Sequence, residues 1–234
     1  MKELIVVTGG TKGIGKAILS KFAEEGFAVA TCSRNQLELD QLKSELDQTT
    51  SAGVFVRMAD LSTKSGVKDF AQYLESLNLE IHCLVNNTGF FIPGKTYEEE
   101  EGMLESMMNT NLYSAYHLTR SLISPMIKRG KGHIINIGSI AGINPYPNGG
   151  SYSISKYALN GFTQNLREET KSLGIRVTAV NPGATYTASW EGSGIPEDRL
   201  MPVVDIANSV YSAYKMSDRT VIEEITLRPQ LGDL

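Results

Sequence analysis

Leu4-Ile5-Val6-Val7-Thr8-Gly9-Gly10-Thr11-Lys12-Gly13-Ile14-Gly15 is the stretch whose reading decides the fold. A short apolar, β-branched run passes directly into a glycine-rich turn and then into a helical stretch, residues 13–25. Glycines let a backbone turn tightly and approach a pyrophosphate, whose charge the positive end of a helix favours. Such a turn is weak information alone and much stronger between the first strand and first helix of an α/β chain. Here the glycines are spaced G-x-x-x-G-x-G (Gly9, Gly13, Gly15), with one more residue between the first two than in the common dinucleotide fingerprint.

The rest of the chain supplies the α/β setting. Strand-like runs recur at 27–30, 54–56, 81–85, 133–137, 175–180 and 221–227, separated by helical stretches at 36–46, 64–77, 103–128, 152–173 and 203–216. The runs are nearly continuous in Val, Ile and Leu, which is how strands buried on both faces read. Their alternation with helices implies a parallel sheet covered on both sides. The expected architecture is a single doubly wound, Rossmann-type domain spanning residues 1–234, with about seven parallel strands. The irregular stretches 143–150 and 184–202 follow strands. They belong at the carboxyl edge of the sheet, where open α/β folds bind ligands, and 184–202 is the expected substrate loop.

Composition narrows the class. With 234 residues, 41% hydrophobic and 21% charged, the chain is neither disordered, collagen-like nor a disulfide scaffold. The 22 Lys+Arg against 26 Asp+Glu give a net charge of -4 and no basic stripe, so no nucleic-acid partner is expected. Cys32 and Cys83 lie in apolar runs, as buried thiols of a reducing compartment do. Residues 4–7 are too short for the apolar core of a signal peptide. No segment approaches the roughly 18 apolar residues of a spanning helix. A cytoplasmic protein without membrane contact is expected. His82, His117 and His133 share no metal-ligand spacing, and residues 98–101 (all Glu) read as a solvated acidic helix start.

The end of the second strand discriminates between nicotinamide cofactors. An acidic residue there would bind a ribose 2′-hydroxyl, and a basic one a 2′-phosphate. The sequence is Thr31-Cys32-Ser33-Arg34-Asn35, with no carboxylate until Glu38 inside the next helix. Arg34 offers a planar fork to phosphate, Ser33 a hydroxyl, and Lys12 a second cation from the glycine loop. NADP(H) is the expected cofactor.

Ser151-Tyr152-Ser153-Ile154-Ser155-Lys156 sets Tyr152 and Lys156 four residues apart on one helix face, and Ser139 closes the fifth strand at the ligand edge. Tyrosine, with a pKa of about 10, is a poor acid or base at neutral pH. A neighbouring ammonium favours the phenolate and brings the group toward useful acid–base work. Alone, the pair reads as a helix-surface contact and Ser139 as a strand-end hydroxyl; the glycine loop changes that balance.

With these residues in place the chain resembles a short-chain dehydrogenase/reductase over nearly its whole length. The resemblance rests on the loop from Thr8 to Gly15, Asn86-Asn87-Thr88-Gly89, Asn111, Ser139, Tyr152 with Lys156, and Asn181-Pro182-Gly183. Thr88 departs from the alanine usual in the family and should be tolerated. The resemblance implies that Tyr152 is the general acid or base, that Ser139 binds the substrate oxygen, and that Lys156 contacts the nicotinamide ribose and lowers the tyrosine pKa. It implies that Asn111 positions a water joining the lysine to solvent. Gly9, Thr11, Lys12, Gly13, Ile14 and Gly15 would cradle the phosphates, with Ser33 and Arg34 at the 2′-position. Asp60 and Leu61 would meet the adenine, Asn87 would line the cofactor, and Pro182, Gly183 and Thr187 would lie by the nicotinamide amide. Helix-local roles remain open for Asn111 and Asp60.

Phe90, Phe91, Ile92, Ile140, Pro145, Tyr146, Tyr186 and Trp190 are expected over the nicotinamide, suiting a hydrophobic carbonyl or alcohol substrate. An acyl-carrier-protein thioester reductase fits less well, because the chain ends Leu227-Arg228-Pro229-Gln230-Leu231-Gly232-Asp233-Leu234 where those enzymes carry a Gly-Gly tail. A nucleotide sensor on the same fold is the alternative of another class; it has no use for a tuned proton donor. Met107, Met108, Leu112, Tyr116 and Leu118, with Leu159, Phe162 and Leu166, exceed one sheet-facing stripe. A homodimer or homotetramer is therefore expected.

Overall fold

A single sheet of seven parallel strands runs through the protein, and counted along the chain they lie in the order third, second, first, fourth, fifth, sixth and seventh. The strands are β1 (Leu4–Thr8), β2 (Ala28–Ser33), β3 (Val54–Met58), β4 (Ile81–Asn86), β5 (Gly132–Ile137), β6 (Ile175–Pro182) and β7 (Glu224–Leu227). The helices are α1 (Gly13–Glu24), α2 (Gln36–Thr49), α3 (Lys64–Ser76), α4 (Met103–Met108), α5 (Ser114–Arg129), α6 (Gly150–Thr170) and α7 (Val203–Tyr214). The computed structural model describes residues 3–51, 53–190 and 192–234.

Successive side chains of a strand point to opposite faces, and β1 uses both. Ile5 and Val7 enter one core with Ile18, Leu19 and Phe22 of α1 and Ile206 and Val210 of α7. Leu4 and Val6 enter the other with Phe70 and Leu74 of α3 and Leu118 and Leu122 of α5. All five residues of β1 are buried, so its sequence shows no alternation. The chain reverses its direction of travel across the sheet between β1 and β4, the switch point at which such sheets bind ligands. Among the described residues no helix is long and apolar enough to cross a membrane, and no group of acidic, His or Cys side chains could hold a metal ion.

Several expectations need correction. The edge strands are not buried on both faces: Met58 is exposed in β3, and β7 starts only at Glu224, with Glu224 and Thr226 facing out. The stretch 103–128 is not one helix, because a π-helical turn (Asn109–Tyr113) separates α4 from α5. Part of the apolar excess on these helices is ordinary core: Met107, Leu118 and Leu159 are buried within the monomer. Cys32 and Cys83 are free, buried thiols, and burial raises the pKa of both.

Candidate active site

The turn after β1 is pinned from three sides. Gly9 takes φ +66°, a left-handed conformation that favours glycine. The Gly10 N–H donates to Thr31 Oγ1 at 2.9 Å, and that hydroxyl donates to the Val7 carbonyl at 2.6 Å. Just beyond β4, the Asn87 and Thr88 N–H groups donate to Thr8 Oγ1 at 2.9 and 3.0 Å. Asn87 Nδ2 donates to the carbonyls of Thr8 and Gly9 at 2.9 and 3.2 Å. Asn87 is thus a clamp on the loop as well as a cavity residue. α1 packs so closely on the turn that a Cβ at Gly15 would lie 2.3 Å from the Gly9 carbonyl oxygen. The N-terminus of α1 has no side-chain cap and no acidic residue in its first turn. Its free N–H groups therefore present positive partial charge to the cavity.

Ser33, Arg34, Asp60 and Leu61 line the same cavity beyond this loop. Asn35 caps α2, its Oδ1 accepting from the N–H groups of Leu37 and Glu38. Arg34 is exposed and forms no ion pair among the described residues. Asp60 closes a local turn, accepting from the Ser62 N–H at 3.0 Å and the Ser62 hydroxyl at 2.7 Å, while Thr63 caps α3. The unanticipated group is Glu38. Although it belongs to the first turn of α2, it accepts from Thr11 Oγ1 at 2.9 Å and lies 4.0 Å from Lys12 Nζ.

At the other end, β5 and α6 assemble the reactive side chains. Ser139 caps the 3-10 turn Ile140–Gly142, its Oγ accepting from the Ala141 N–H at 3.1 Å, so its own hydrogen is left to donate elsewhere. Tyr152 is partly buried, and the Phe91 ring packs edge-on against it at 4.8 Å. Burial raises the Tyr152 pKa, while the Ser139 hydroxyl pulls it down. Lys156 is buried, donates to the Ile137 carbonyl at 2.9 Å, and has its Nζ 5.8 Å from the Tyr152 ring centroid. Burial pushes its pKa down to about 8. Desolvation is the larger influence on both groups.

Asn111 sits in the π turn. Its Oδ1 accepts from the Phe90 N–H at 2.9 Å, and its Nδ2 donates to the Phe90 carbonyl at 3.1 Å and Ser155 Oγ at 2.9 Å. These bonds tie the segment after β4 to α6. Asn111 is not on the cavity wall, and its polar atoms are engaged with protein groups. A π turn inside a helix is costly and marks functional sites; here it aims this amide.

One cavity of about 1210 Å³ gathers Gly9, Thr11, Lys12, Gly13, Ile14, Gly15, Ser33, Arg34, Asp60, Leu61, Asn87, Ser139, Tyr152, Lys156, Pro182, Gly183 and Thr187. Phe90, Phe91, Ile140, Pro145, Tyr146, Tyr186 and Trp190 also line it, whereas Ile92 does not and is exposed. Asp233 and Leu234, which no sequence motif marks, join the wall. The stretch 184–202 closes on itself through Tyr186 N–H to the Met201 carbonyl (2.8 Å) and Met201 N–H to the Ala184 carbonyl (3.0 Å). Glu191 in that stretch lies outside the described residues.

A further residue escaped the sequence reading. Glu99 is no solvated helix start, since α4 begins at Met103. It accepts from the Ser151 N–H at 2.9 Å and from the Ser151 hydroxyl, at the first turn of α6. That turn has no acidic residue of its own and no side-chain cap. Glu99 supplies the negative charge one residue before Tyr152.

A sequence model of the short chain dehydrogenase family matches residues 3–196. A sepiapterin reductase of Chlorobaculum tepidum is 32% identical over 245 aligned positions, covering 100% of this chain and 99% of that protein. An uncharacterised oxidoreductase of Staphylococcus epidermidis is 27% identical, covering 97% of each. Among solved structures, a metagenomic short-chain oxidoreductase in complex with NADP superposes with a TM-score of 0.85 at 29% identity, covering 97% of each chain.

Proposed function

The chain belongs to the short-chain dehydrogenase family, and on that premise we propose that it is an NADP(H)-dependent oxidoreductase interconverting a carbonyl and an alcohol, with Tyr152 as the general acid or base. The observation that carries this reading is the single cavity with two chemically distinct ends. One end holds an uncapped helix N-terminus, the glycine loop, Lys12 and Arg34; the other holds Ser139, Tyr152 and Lys156. The residues fit the cofactor: the α1 N-terminus is left without a side-chain cap or an acidic residue, and Lys12 and Arg34 line the same cavity.

When bound, the nicotinamide supplies or accepts the hydride. Ser139, held by the Ala141 N–H, points its hydrogen at the substrate oxygen and fixes it beside the Tyr152 hydroxyl. Tyr152 gives its proton to that oxygen in reduction and takes it back in oxidation. Burial keeps the phenol protonated, the state a reductase needs. Lys156, with its Nζ 5.8 Å from the Tyr152 ring centroid, would help to hold the nicotinamide ribose, and as an ammonium it favours the developing phenolate. Asn111 holds the Phe90 segment and α6 in register.

The aromatic wall favours a hydrophobic carbonyl body with one polar group. The full-length similarity to a sepiapterin reductase adds heteroaromatic ketones to the substrates to be tried. We further propose one cytoplasmic domain over residues 1–234 that assembles as a homodimer. Its contact surface is the exposed set Leu104, Tyr113, Tyr116, Ile154 and Tyr157 on α4, α5 and α6 and the turn between. The test of function is NADPH oxidation against a carbonyl panel that includes aliphatic, aromatic and pteridine ketones. Turnover of at least one class supports the reading; cofactor binding with no turnover on any class favours a sensor.

A further inference from the structure

The adenosine end of the cavity holds an anion as well as cations. Glu38 is fixed there by three groups: it accepts from Thr11 Oγ1 at 2.9 Å and Asn35 Nδ2 at 3.2 Å, and it attracts Lys12 Nζ at 4.0 Å. It lies in the first turn of α2. Lys12 is 73% exposed and leans toward this carboxylate. The cation expected to receive a 2′-phosphate is therefore already facing an anion of the chain itself.

We propose that Glu38 is a specificity-determining residue that opposes the 2′-phosphate, so that the protein separates NADP(H) from NAD(H) less sharply than Lys12 and Arg34 alone would. The inference rests on the NADP(H) reading above. A 2′-phosphate brings up to two negative charges to a site where a carboxylate is held in place by Thr11 and Asn35. It must either share Lys12 with Glu38 or draw it away. A bare ribose brings no such charge, and its 2′-hydroxyl can donate to an acceptor that offers only lone pairs. Glu38 thus raises the free energy of the phosphorylated cofactor and spares the other. The sequence could not show this, because Glu38 lies beyond the strand end where an acidic discriminator is sought, and only the fold of α2 returns it to Thr11.

Calorimetric titration of NADP+ and NAD+ against wild type and Glu38→Gln tests the proposal without turnover. Glutamine preserves an acceptor for Thr11 and removes the charge. The NADP+ Kd should fall by roughly three- to tenfold, with the NAD+ Kd unchanged or raised, and the gain should shrink in high salt. An unchanged Kd ratio, or weaker NADP+ binding because Glu38 serves to position Lys12, overturns the proposal while leaving the cofactor reading intact. A wild-type protein that binds neither cofactor overturns both.

Discussion

Replacing Lys156 with methionine should stabilise the cofactor-free protein near neutral pH while abolishing its activity. The side chain is buried, and burial lowers its pKa from 10.5 to about 8. The unfolded chain therefore holds a proton that the folded chain has released between pH ~8 and ~10.5. Stability of the wild type rises with pH across that window and bears the full cost of the buried ammonium below it. At about 1.4 kcal/mol per pH unit the cost is about 3 kcal/mol at pH 7. Methionine fills a similar volume without charge, but the Ile137 carbonyl loses a donor, which returns about 1 kcal/mol. The net expectation is a variant more stable by about 2 kcal/mol at pH 7. The gap should close as pH rises past 8 and reverse near pH 10. Urea unfolding of both proteins at several pH values between 6.5 and 10 measures it. A variant less stable at pH 7, or a pH-independent gap, would refute the reasoning.

Glu99→Gln removes the carboxylate that Ser151 binds at the α6 N-terminus and should cost about 1–2 kcal/mol in thermal unfolding. Because α6 carries Tyr152, kcat should drop severalfold while the Kd for NADPH stays within twofold; an equal loss in both would make Glu99 a general stability residue. Arg34→Asp deletes a phosphate partner and adds a ribose acceptor, so the kcat/KM ratio of NADPH to NADH should fall by at least about tenfold. An unchanged ratio removes Arg34 from cofactor selection. Light scattering behind a sizing column should give a dimer or tetramer mass at micromolar concentration, and Tyr116→Glu should lower it. A monomer mass for the wild type contradicts the proposed contact surface.

What the sequence made legible was local. β1, the glycine turn and α1 are contiguous, so their order and spacing display the phosphate loop. Tyr152 and Lys156 share a helix face by their spacing alone. The features it hid depend on contacts between distant residues: Glu38 meets Thr11 across 27 positions, and Glu99 meets Ser151 across 52. Neither charge differs, in sequence, from a solvated surface residue. The π turn at Asn109–Tyr113 was missed within a stretch read as one helix, and its purpose lies in the bonds from Asn111 to Phe90 and Ser155. The burial of Tyr152 and Lys156, the largest influence on the pKa of each, likewise depends on packing between distant elements.

The most direct measurement is on Tyr152→Phe: NADPH oxidation with the best carbonyl substrate, alongside calorimetric NADPH binding to the same protein. The change deletes one hydroxyl from the reactive end and leaves the glycine loop, Lys12 and Arg34 untouched. Loss of a positioned acid typically costs about 10²–10⁴-fold, so turnover should fall by at least the lower figure. The NADPH Kd should stay within about threefold, because the phosphate and adenosine contacts at the far end carry most of the affinity. Turnover within tenfold of wild type, with binding intact, would contradict Tyr152 as the proton donor and require another group at the Ser139 end of the cavity to do that work.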